Sequence, residues 1–290
     1  MPNLAPFLIS GLAVGAIYAL SGVGLVVLYR TCGVLNFAYG AIGAVGALVA
    51  WQLVQLSMPV LLAGLAAIVV TTALSLLYGW VIAPRLAYRE TVVRGVATLG
   101  FALLLLGMCD LLWRSNTPRQ VRLPTDTLGF TLLGARVTGT RLTAFLLALA
   151  ITIGVVVFLN RARLGVAMRA LANDRDVSAL LGISVLRVEL WAWLISGIMA
   201  GVSGLLLASL VNLNAGTLTF LVIPAMATAI LGRLRSLGAT LAGGLCIGLA
   251  EALATPFATI APYRSVAPFA IALLAILWQQ QQPAFRLAKD

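Results

Sequence analysis

The chain of 290 residues has no histidine, and its lysine, Lys289, lies one residue from the end. Without imidazole there can be no Ser-His-Asp triad and no histidine metal site. No G-x-x-x-x-G-K-[ST] loop fits around Lys289, so the chain has no Walker A site for ATP. Its cysteines, Cys32, Cys109 and Cys246, lie far apart in apolar sequence, which is typical of small core residues rather than of a disulfide framework or metal site. We therefore predict a protein that is not an enzyme and holds no cofactor or metal.

Charged residues are also scarce, at 9% of the chain, whereas apolar residues make up 62%. Soluble globular chains average about 25% charged and about 45–50% apolar residues. A helix needs about 20 predominantly apolar residues to cross a bilayer. The composition therefore excludes a soluble enzyme and predicts an all-α, polytopic helical membrane protein, with residues 1–290 forming one transmembrane domain.

Stretches without charge locate eight or nine transmembrane segments. The predicted spans are residues 7–28, 37–56, 60–82, 95–113, 142–160, 190–210, 219–231, 238–255 and 265–282. The segment 219–231 is short and contains Pro224, so it is either re-entrant or a bent half-span. This segment decides between eight spans and nine.

The net charge of +11 comes almost entirely from arginines in the gaps between apolar runs. With nine spans and an external N-terminus, most of these arginines fall on the cytoplasmic side, including those of the loop 83–94. That distribution is typical of membrane topology. We therefore predict the lipid bilayer, and no nucleic acid, as the partner of the basic residues.

The polar segment 161–189 interrupts the apolar runs and has a helical pattern of its own. Met168, Leu171 and Ala172 fall on one helical face. Because the segment is too polar to span a bilayer, this pattern predicts a short amphipathic helix that lies on the cytoplasmic side.

The second half of this segment carries signals for helix ends. Asn173 and Asp174 offer capping side chains, and they are followed by an apolar patch at 179–181 and by Gly182, which favours a helix stop. Two interpretations are open at this point. The segment is either an interfacial helix that covers the end of the bundle or a docking helix for a soluble partner.

Polar residues at the start of the second span are candidates for a substrate pathway. Asn36 can cap a helix that begins inside or at the edge of the membrane, and Tyr39 and Gly40 follow it. A helix N-terminus that points into a cavity favours carboxylates. The same residues are also typical of an ordinary cap with an aromatic anchor at the interface.

Three further polar residues are candidates for the same pathway. Asn212 and Asn214 break the chain between two spans, and they form either part of the pathway or only an external turn. Glu251 is set deep in a predicted span, where a carboxylate is costly and often functional. It can face a polar cavity, pair with an arginine or stay protonated, and the sequence leaves these alternatives open.

Four stretches of the chain carry a family resemblance. They are GLAVGAIYALSGVGLVVLYRTCGVLNFAYGAIGAVGA at 11–47, VATLGFALLL at 96–105, RLGVAMRALANDRDVSALLGISVLRVELWAWLISGIMAGVSGLLL at 163–207 and ILGRLRSLGATLAGGLCIGLAEAL at 230–253. Together they cover nearly the whole chain, and in this order the sequence resembles the permease subunits of branched-chain amino acid ABC importers, the LivH type.

The resemblance implies a cytoplasmic coupling loop at about 161–189, with 163–187 seated in a groove of an ATPase subunit through Arg169, Asn173, Asp174 and Gly182. It implies several partners: a second homologous permease subunit, two ATP-binding cassette subunits that hydrolyse ATP, and an extracytoplasmic substrate-binding protein. The implied location is the bacterial inner membrane. The implied function is translocation of branched-chain or related apolar amino acids by ATP-driven alternating access.

The chain departs from the family pattern at Arg233, where a Gly-Gly pair is usual, and at 221–223, which lacks the usual lysine. Since relatives of this type also carry urea, short amides and aromatic acids, the substrate stays open. Two other classes of protein remain as alternatives. One is an ion- or proton-coupled secondary carrier that uses Glu251, and the other is a channel or structural subunit, for which the sequence has no selectivity motif.

Overall fold

The polypeptide folds into a bundle of apolar helices, as a computed structural model shows. The structure describes residues 5–113, 119, 125, 129–132, 135–211, 213–220, 222–257 and 261–280. The helices are α1 (Ala5–Cys32), α2 (Tyr39–Gln55), α3 (Val60–Leu77), α4 (Thr91–Leu112), α5 (Gly139–Arg161), α6 (Arg163–Asn173), α7 (Arg175–Leu180), α8 (Val185–Leu210), α9 (Ala215–Phe220), α10 (Val222–Leu231), α11 (Leu237–Ala254) and α12 (Ala267–Gln280). The prediction of an all-α polytopic membrane protein is confirmed.

Six of these helices are long and apolar enough to cross a membrane. They correspond to α1, α3 with its extension to Leu86, α4, α5, α8 and α11. Three shorter apolar helices, Tyr39–Gln55, Ala215–Leu231 and Ala267–Trp278, account for the other three predicted spans. Helices satisfy their own backbone hydrogen bonds, as the hydrocarbon core of a bilayer requires.

The structure differs from the predicted spans in local detail. After Leu77, α3 continues through a π-helical turn (Tyr78–Ile82) and a 3-10 turn (Ala83–Leu86), so the helix winding changes before the loop. A 3-10 turn, Ala261–Val266, also leads into α12. The predicted segment 219–231 lies in the short apolar helical stretch that contains α9 and α10, and residue 221 between them is outside the described residues.

A small antiparallel hairpin, which the sequence did not predict, lies between α4 and α5. Its strands are β1 (Gly129–Leu132) and β2 (Ala135–Thr138), with Gly129 opposite Thr138. The strands have four residues each and lie within the loop between α4 and α5, so the helical architecture is unchanged.

Helix α1 is the centre of the bundle. In its most apolar stretch 89% of the residues are buried, and the helix packs against α5, α8, α10 and α11. Glycines make the crossing with α11 close: a Cβ on Gly248 would lie 2.3 Å from the Cα of Gly15, and one on Gly244 would lie 2.5 Å from the Cα of Ala19. Side chains at these two glycines would force the helices apart, since small residues are what let membrane helices approach.

Helices α3, α4 and α5 form the periphery of the bundle. In the most apolar stretches of α3, α4 and α5, only 22%, 28% and 22% of the residues are buried. Their outward faces carry large apolar side chains, which include Leu61, Leu65, Val69, Leu103, Leu104 and Leu147. Such a surface is suited to hydrocarbon, because lipid tails solvate leucine and valine as well as a protein core does.

Arginines lie close together at the end of the bundle where α1 ends. Arg30, in the last turn of α1, lies close enough to Arg169 and Arg235 for electrostatic interaction. The distribution of arginines predicts that this end is cytoplasmic. We call it the inner end, and we call the opposite end, where α1 begins, the outer end.

Candidate functional site

A cavity of about 650 Å³ opens at the outer end, between α1, α8, α10 and α11. Its walls are mostly apolar and include Phe7, Leu207, Phe220, Ile223 and Phe269. Neutral polar side chains also line it, among them Ser10, Thr217 and Thr255. The volume falls within the roughly 300–1,000 Å³ that is usual for small-molecule sites, and so does the combination of apolar walls with a few polar groups.

Glu251 lines this cavity from α11, and it is half-buried. The hydroxyl of Tyr18, on α1, donates a hydrogen bond to Glu251 Oε2 at 2.8 Å. Glu251 therefore lines a cavity, as one of the predicted environments requires, and accepts a hydrogen bond from Tyr18 there. The close α1–α11 crossing brings the two residues together, although they are 233 positions apart in the sequence.

The cavity contains a second charged residue, which the sequence analysis did not single out. Arg141, in the first turn of α5, is half-buried and lines the same cavity as Glu251. In the sequence it is one of several arginines between the fourth and fifth spans, and nothing distinguishes it from them. Only the packing of α5 against α1 places it beside the apolar walls.

Helix α2 begins well inside the bundle rather than at its inner end. The backbone N–H of Phe37 donates to Thr98 Oγ1 at 3.0 Å, and Thr98 lies seven residues into α4, about 10 Å from the first residue of that helix. Asn36 is buried there, and its Oδ1 accepts from Ala38 N at 3.0 Å. Asn36 therefore shapes the turn that precedes α2, whereas the first turn of the helix has no side-chain cap.

Tyr39 borders a much smaller cavity below the outer one. This inner cavity measures about 20 Å³ and is lined by Ser21, Tyr39 and Ser203 together with Leu207, which the outer cavity shares. It has room for about one water molecule. Tyr39 Oη is buried, and no group among the described residues reaches it in hydrogen-bonding geometry, although the Ser21 and Ser203 hydroxyls lie beside it.

Gly40 allows α2 and α9 to touch at the same level. A Cβ on Gly40 would lie 2.3 Å from the carbonyl oxygen of Thr219. Asn214 caps α9, since its Oδ1 accepts from the backbone N–H groups of Gly216 at 2.9 Å and Thr217 at 3.3 Å. Asn214 is exposed and does not line the outer cavity, which favours the external turn. The other candidate in this turn, Asn212, lies outside the described residues.

At the inner end, α6 lies across the ends of α1 and α5. Met168 and Leu171 are buried, as expected for the apolar face, but Ala172 is exposed. Arg169 donates from its guanidinium to the carbonyl oxygen of Leu159 at 3.1 Å. Arg169 therefore caps the C-terminal end of α5, and it ties α6 to the bundle.

The predicted single amphipathic helix is two helices, because the chain breaks at Asp174. Asp174 is the N-cap of α7, and its Oδ1 accepts from Asp176 N and Val177 N, both at 2.9 Å. Asn173 is exposed at the end of α6. Gly182 ends the pair with a φ of +83°, and the space around its Cα is open.

Helix α7 presents an apolar surface to the exterior, which we call the α7 patch: Val177, Leu180 and Leu181. Their side chains are 50%, 88% and 76% exposed. The α7 patch lies at the charged inner end of the bundle rather than among the apolar outer faces of α3 to α5. An exposed apolar patch at this place is typical of a surface that binds a partner.

An ion pair that the sequence analysis missed fixes α7 to the membrane helices. Both terminal nitrogens of Arg175 donate to the carboxylate oxygens of Glu189, which is buried at the start of α8. Arg94 of α4 is close enough to Glu189 to interact with it, and it donates to the carbonyl oxygen of Cys32 at 3.0 Å. Polar contacts thus connect α7, α8, α4 and the end of α1. The signal in the sequence was an acidic residue at the edge of a predicted span.

A helical bundle with a cavity at one end and an exposed helix pair at the other is the architecture of a multi-pass membrane permease. Residues 7–277 match the family described as "Branched-chain amino acid transport system / permease component". The chain belongs to this family, as the sequence resemblance indicated.

Individual relatives agree with the family match. The chain is 28% identical over 289 residues to the "High-affinity branched-chain amino acid transport system permease protein LivH" of Escherichia coli, covering 92% of this chain and 91% of that one. It is 29% identical to the corresponding BraD protein of Pseudomonas aeruginosa, covering 96% of each chain. It is 30% identical to a probable LivH protein of Methanocaldococcus jannaschii, covering 81% of this chain and 76% of that one.

Among solved structures, PsaBC from Streptococcus pneumoniae in complex with a Fab shares the fold. The TM-score is 0.55 at 16% identity, and the match covers 100% of this chain and 95% of that chain. This likeness concerns the arrangement of helices.

Proposed function

We propose that the chain is the transmembrane permease subunit of an ABC importer for branched-chain or related apolar amino acids. The observation that carries the proposal is the α7 patch. It is apolar and exposed, and the Arg175–Glu189 ion pair holds it on the bundle. A surface of this kind is suited to docking a soluble protein, whereas a secondary carrier, which works alone, has no need of one. The relatives named as branched-chain amino acid permeases support the substrate class.

The pathway of this importer begins in the outer cavity and continues past Tyr39. In the structure described here it narrows from about 650 Å³ to about 20 Å³ between these two points. Gly40 and Gly204 let α2, α8 and α9 approach closely at this constriction, since a Cβ on Gly204 would lie 2.3 Å from the carbonyl oxygen of Gly43. Alternating access then requires these helices to separate.

The driving motion enters at the other end, through the loop at 161–189. ATP-dependent closure of two ATPase subunits displaces α6 and α7, with Arg169, Asn173, Asp174 and Gly182 placed at that contact. Helix α8 carries the displacement outward, because it begins beside Glu189 and reaches the outer cavity at Leu207. Its 26 residues span about 39 Å at 1.5 Å per residue, which is long enough to join the two sites.

The complete importer contains further subunits: a second homologous permease, two ATP-binding cassette subunits and an extracytoplasmic substrate-binding protein. The loaded binding protein delivers its ligand to the outer cavity, and the pathway then opens toward the cytoplasm after hydrolysis. Residues 1–290 act as one permease domain in the bacterial inner membrane. ATP is hydrolysed on the partner subunits.

The energy source tests this function directly. The chain, co-purified with its ATPase subunits and second permease, is reconstituted into liposomes with its binding protein outside and ATP inside. We expect uptake of radiolabelled L-leucine that requires ATP and is unaffected by collapsing the proton gradient. Uptake driven by a proton gradient without ATPase subunits would instead favour a secondary carrier.

A glycine variant tests the role of the coupling loop. Gly182→Trp forces a non-glycine residue to a φ of +83° and places an indole beside the α7 patch. We expect ATP hydrolysis to continue while uptake is lost. The matched control is Gly238→Trp, at the inner end of α11, where the added side chain also meets open space but φ is ordinary. Coupled uptake by Gly182→Trp equal to that of the control would remove Gly182 from the docking contact.

A further inference from the structure

The inner cavity beside Tyr39 is lined by hydroxyl groups from three different helices. Ser21 belongs to α1, Tyr39 to α2 and Ser203 to α8, and these residues are 7%, 3% and 5% exposed. The hydroxyls of Ser21 and Ser203 lie beside Tyr39 Oη, which no described residue reaches in hydrogen-bonding geometry. A buried hydroxyl without a partner is costly, because it loses its hydrogen bonds to bulk water and gains none in return. This cluster therefore points to a ligand that pairs with hydroxyls.

Helix packing limits the size of that ligand. The inner cavity has a volume of about 20 Å³, and its other walls are formed by small or apolar residues, which include Ile17, Gly43 and Leu218. Gly204 lies so close to α2 that a Cβ on it would be 2.3 Å from the carbonyl oxygen of Gly43. A space of this size accepts one water molecule and is too small for an amino acid.

We propose that the inner cavity binds one ordered water molecule, which the hydroxyls of Tyr39, Ser21 and Ser203 hold in place. A buried water usually makes about three hydrogen bonds to polar groups that would otherwise be unsatisfied, and three hydroxyls meet this requirement. Ser203 Oγ donates to the carbonyl oxygen of Ala200 at 3.1 Å, so on the cavity side it accepts from the water. Tyr39 and Ser21 can each donate or accept, and they supply the other two hydrogen bonds.

The position of this water connects it with the substrate pathway. Tyr18 and Leu207 line both the outer cavity and the inner one, so the water adjoins the space that opens at the outer end. Its place on a pathway rests on the function proposed above, whereas the water site itself does not. While α1, α2 and α8 are packed together, the water satisfies the three hydroxyls. When these helices separate, the same hydroxyls can replace part of the hydration of the substrate's charged groups.

Radiolytic footprinting tests for the water in the full chain. An X-ray pulse converts water into hydroxyl radicals, which modify aromatic side chains next to a water molecule even where bulk solvent does not reach. The chain in lipid nanodiscs is exposed to the pulse, and mass spectrometry of its peptides measures the modification of each tyrosine. We expect Tyr39 to be modified. Tyr78 is the matched reference and should stay unmodified, because it is also buried but packs against Trp193 and Phe101 and lines neither cavity.

Isotopic labelling distinguishes a bound water from access to bulk solvent. The sample is mixed with heavy-oxygen water shortly before the pulse, so that bulk water carries the heavy isotope while a slowly exchanging buried water keeps the light one. We expect Tyr39 to acquire light oxygen and the exposed Tyr88 to acquire heavy oxygen. Modification of Tyr39 by heavy oxygen alone would show access of bulk solvent and would overturn the bound water.

Three serine variants locate the water. Ser21→Val fills the cavity with methyl groups and removes one hydrogen-bond partner, so most of the modification of Tyr39 should be lost. Ser21→Ala removes the partner without adding volume, so it should fold even if the valine variant does not, and it should lower the modification of Tyr39. The matched control is Ser196→Ala, which removes a buried hydroxyl of α8 that has no partner among the described residues and lies outside the inner cavity. It should leave the modification of Tyr39 unchanged.

The water site is overturned if Tyr39 is modified no more than Tyr78, or if both Ser21 variants leave its modification unchanged. Footprinting requires neither ATP nor uptake. A failure of the proposed transport function would therefore leave the result at Tyr39 unaffected, and a dry inner cavity would leave ATP-driven uptake of leucine unaffected.

Discussion

The outer cavity and the α7 patch lie at opposite ends of the bundle and differ in almost every physical property. The cavity is concave and mostly apolar, and its described lining includes Glu251 and Arg141. The α7 patch lies on the surface and consists of aliphatic side chains that are at least half exposed. Concave, charge-bearing surfaces suit small polar ligands, and exposed apolar patches suit proteins. The two surfaces therefore suit two kinds of partner, and helix α8 runs between them.

The two regions also differ in how they are held in place. The cavity depends on close helix crossings at glycines, as at Gly15 and Gly248. The α7 patch depends on an ion pair and a helix cap, at Arg175–Glu189 and Asp174. A side chain added at one of these glycines forces the two helix backbones apart and disrupts the whole crossing. The polar contacts that hold α7, in contrast, can be removed one at a time. Variants can therefore separate the two regions.

The largest effect is expected from Gly248→Leu, which breaks the outer region. Its side chain would enter space where a Cβ alone lies 2.3 Å from the Cα of Gly15. Overpacking a tight contact costs about 1–3 kcal/mol or more, and here both neighbours are backbone. We expect a large loss of folded protein, measured by fluorescence-detected size exclusion and thermal unfolding in detergent. Gly107→Leu is the control, because a Cβ there meets nothing within 4 Å, and it should stay folded.

The next largest effect is expected at the inner region, from Glu189→Ala. It leaves Arg175 without its carboxylate, and hydrogen bonds to charged groups contribute about 1.5–3 kcal/mol. We expect a folded transporter whose ATPase rate no longer rises when loaded binding protein is added. Arg187→Ala, an exposed residue two positions earlier, should keep that response. The charge exchange Arg175→Glu with Glu189→Arg should restore part of it, and complete absence of rescue would argue against a direct ion-pair role.

A smaller effect is expected from the α7 patch itself. Leu180 is 88% exposed, so Leu180→Asp should leave folding intact and weaken binding of the ATPase subunits. Leu180→Met keeps the apolar character and should bind normally. Co-purification of the ATPase subunits with each variant measures the difference. Equal recovery with both variants would show that the patch lies outside the docking contact.

The smallest effect on stability is expected from Tyr39→Phe, between the two regions. Tyr39 Oη is buried without a hydrogen-bond partner among the described residues, so removing it costs little in folding free energy. If the 20 Å³ cavity belongs to the pathway, uptake should fall while thermal stability is unchanged. Val23→Ala, at a buried position on α1 outside this cavity, is the comparison: it should lose stability and keep uptake per folded molecule.

The sequence predicted the helical class and the nine apolar segments, because bilayer crossing imposes long apolar runs that are visible without tertiary information. Helix ends were less well predicted. The first helix extends to Cys32 and the eighth starts at Val185, since arginines and glutamate at the inner end are helical too. The break at Asp174 was also missed, although its capping side chain was noted, because a local pattern does not tell whether a cap starts a new helix.

Some residues of the candidate site were predicted from the sequence, and others were not. Glu251 was singled out because a carboxylate within an apolar run is conspicuous. Arg141 and Arg175 were not, because both lie among other arginines, and only the three-dimensional packing gives them carboxylate neighbours or a shared cavity. Asn36 was noted as a possible helix cap and Asn214 as part of a break between two spans, and both form local hydrogen bonds to backbone N–H groups. The sequence therefore indicated hydrogen bonds between neighbouring residues, but it did not indicate contacts between residues that are far apart along the chain.

The burial of α1 has a consequence for how the protein is made. Its largest contact is with α11, and the Tyr18–Glu251 hydrogen bond joins residues separated by 233 positions. Ribosomes add about 5–20 residues per second, so α1 waits more than ten seconds after its own synthesis for its main neighbour. During that time its glycine-rich face lies against lipid or the insertion machinery. Closure of the bundle is therefore a late event in biogenesis, and a chain that stops before α11 leaves its central helix without its main partner.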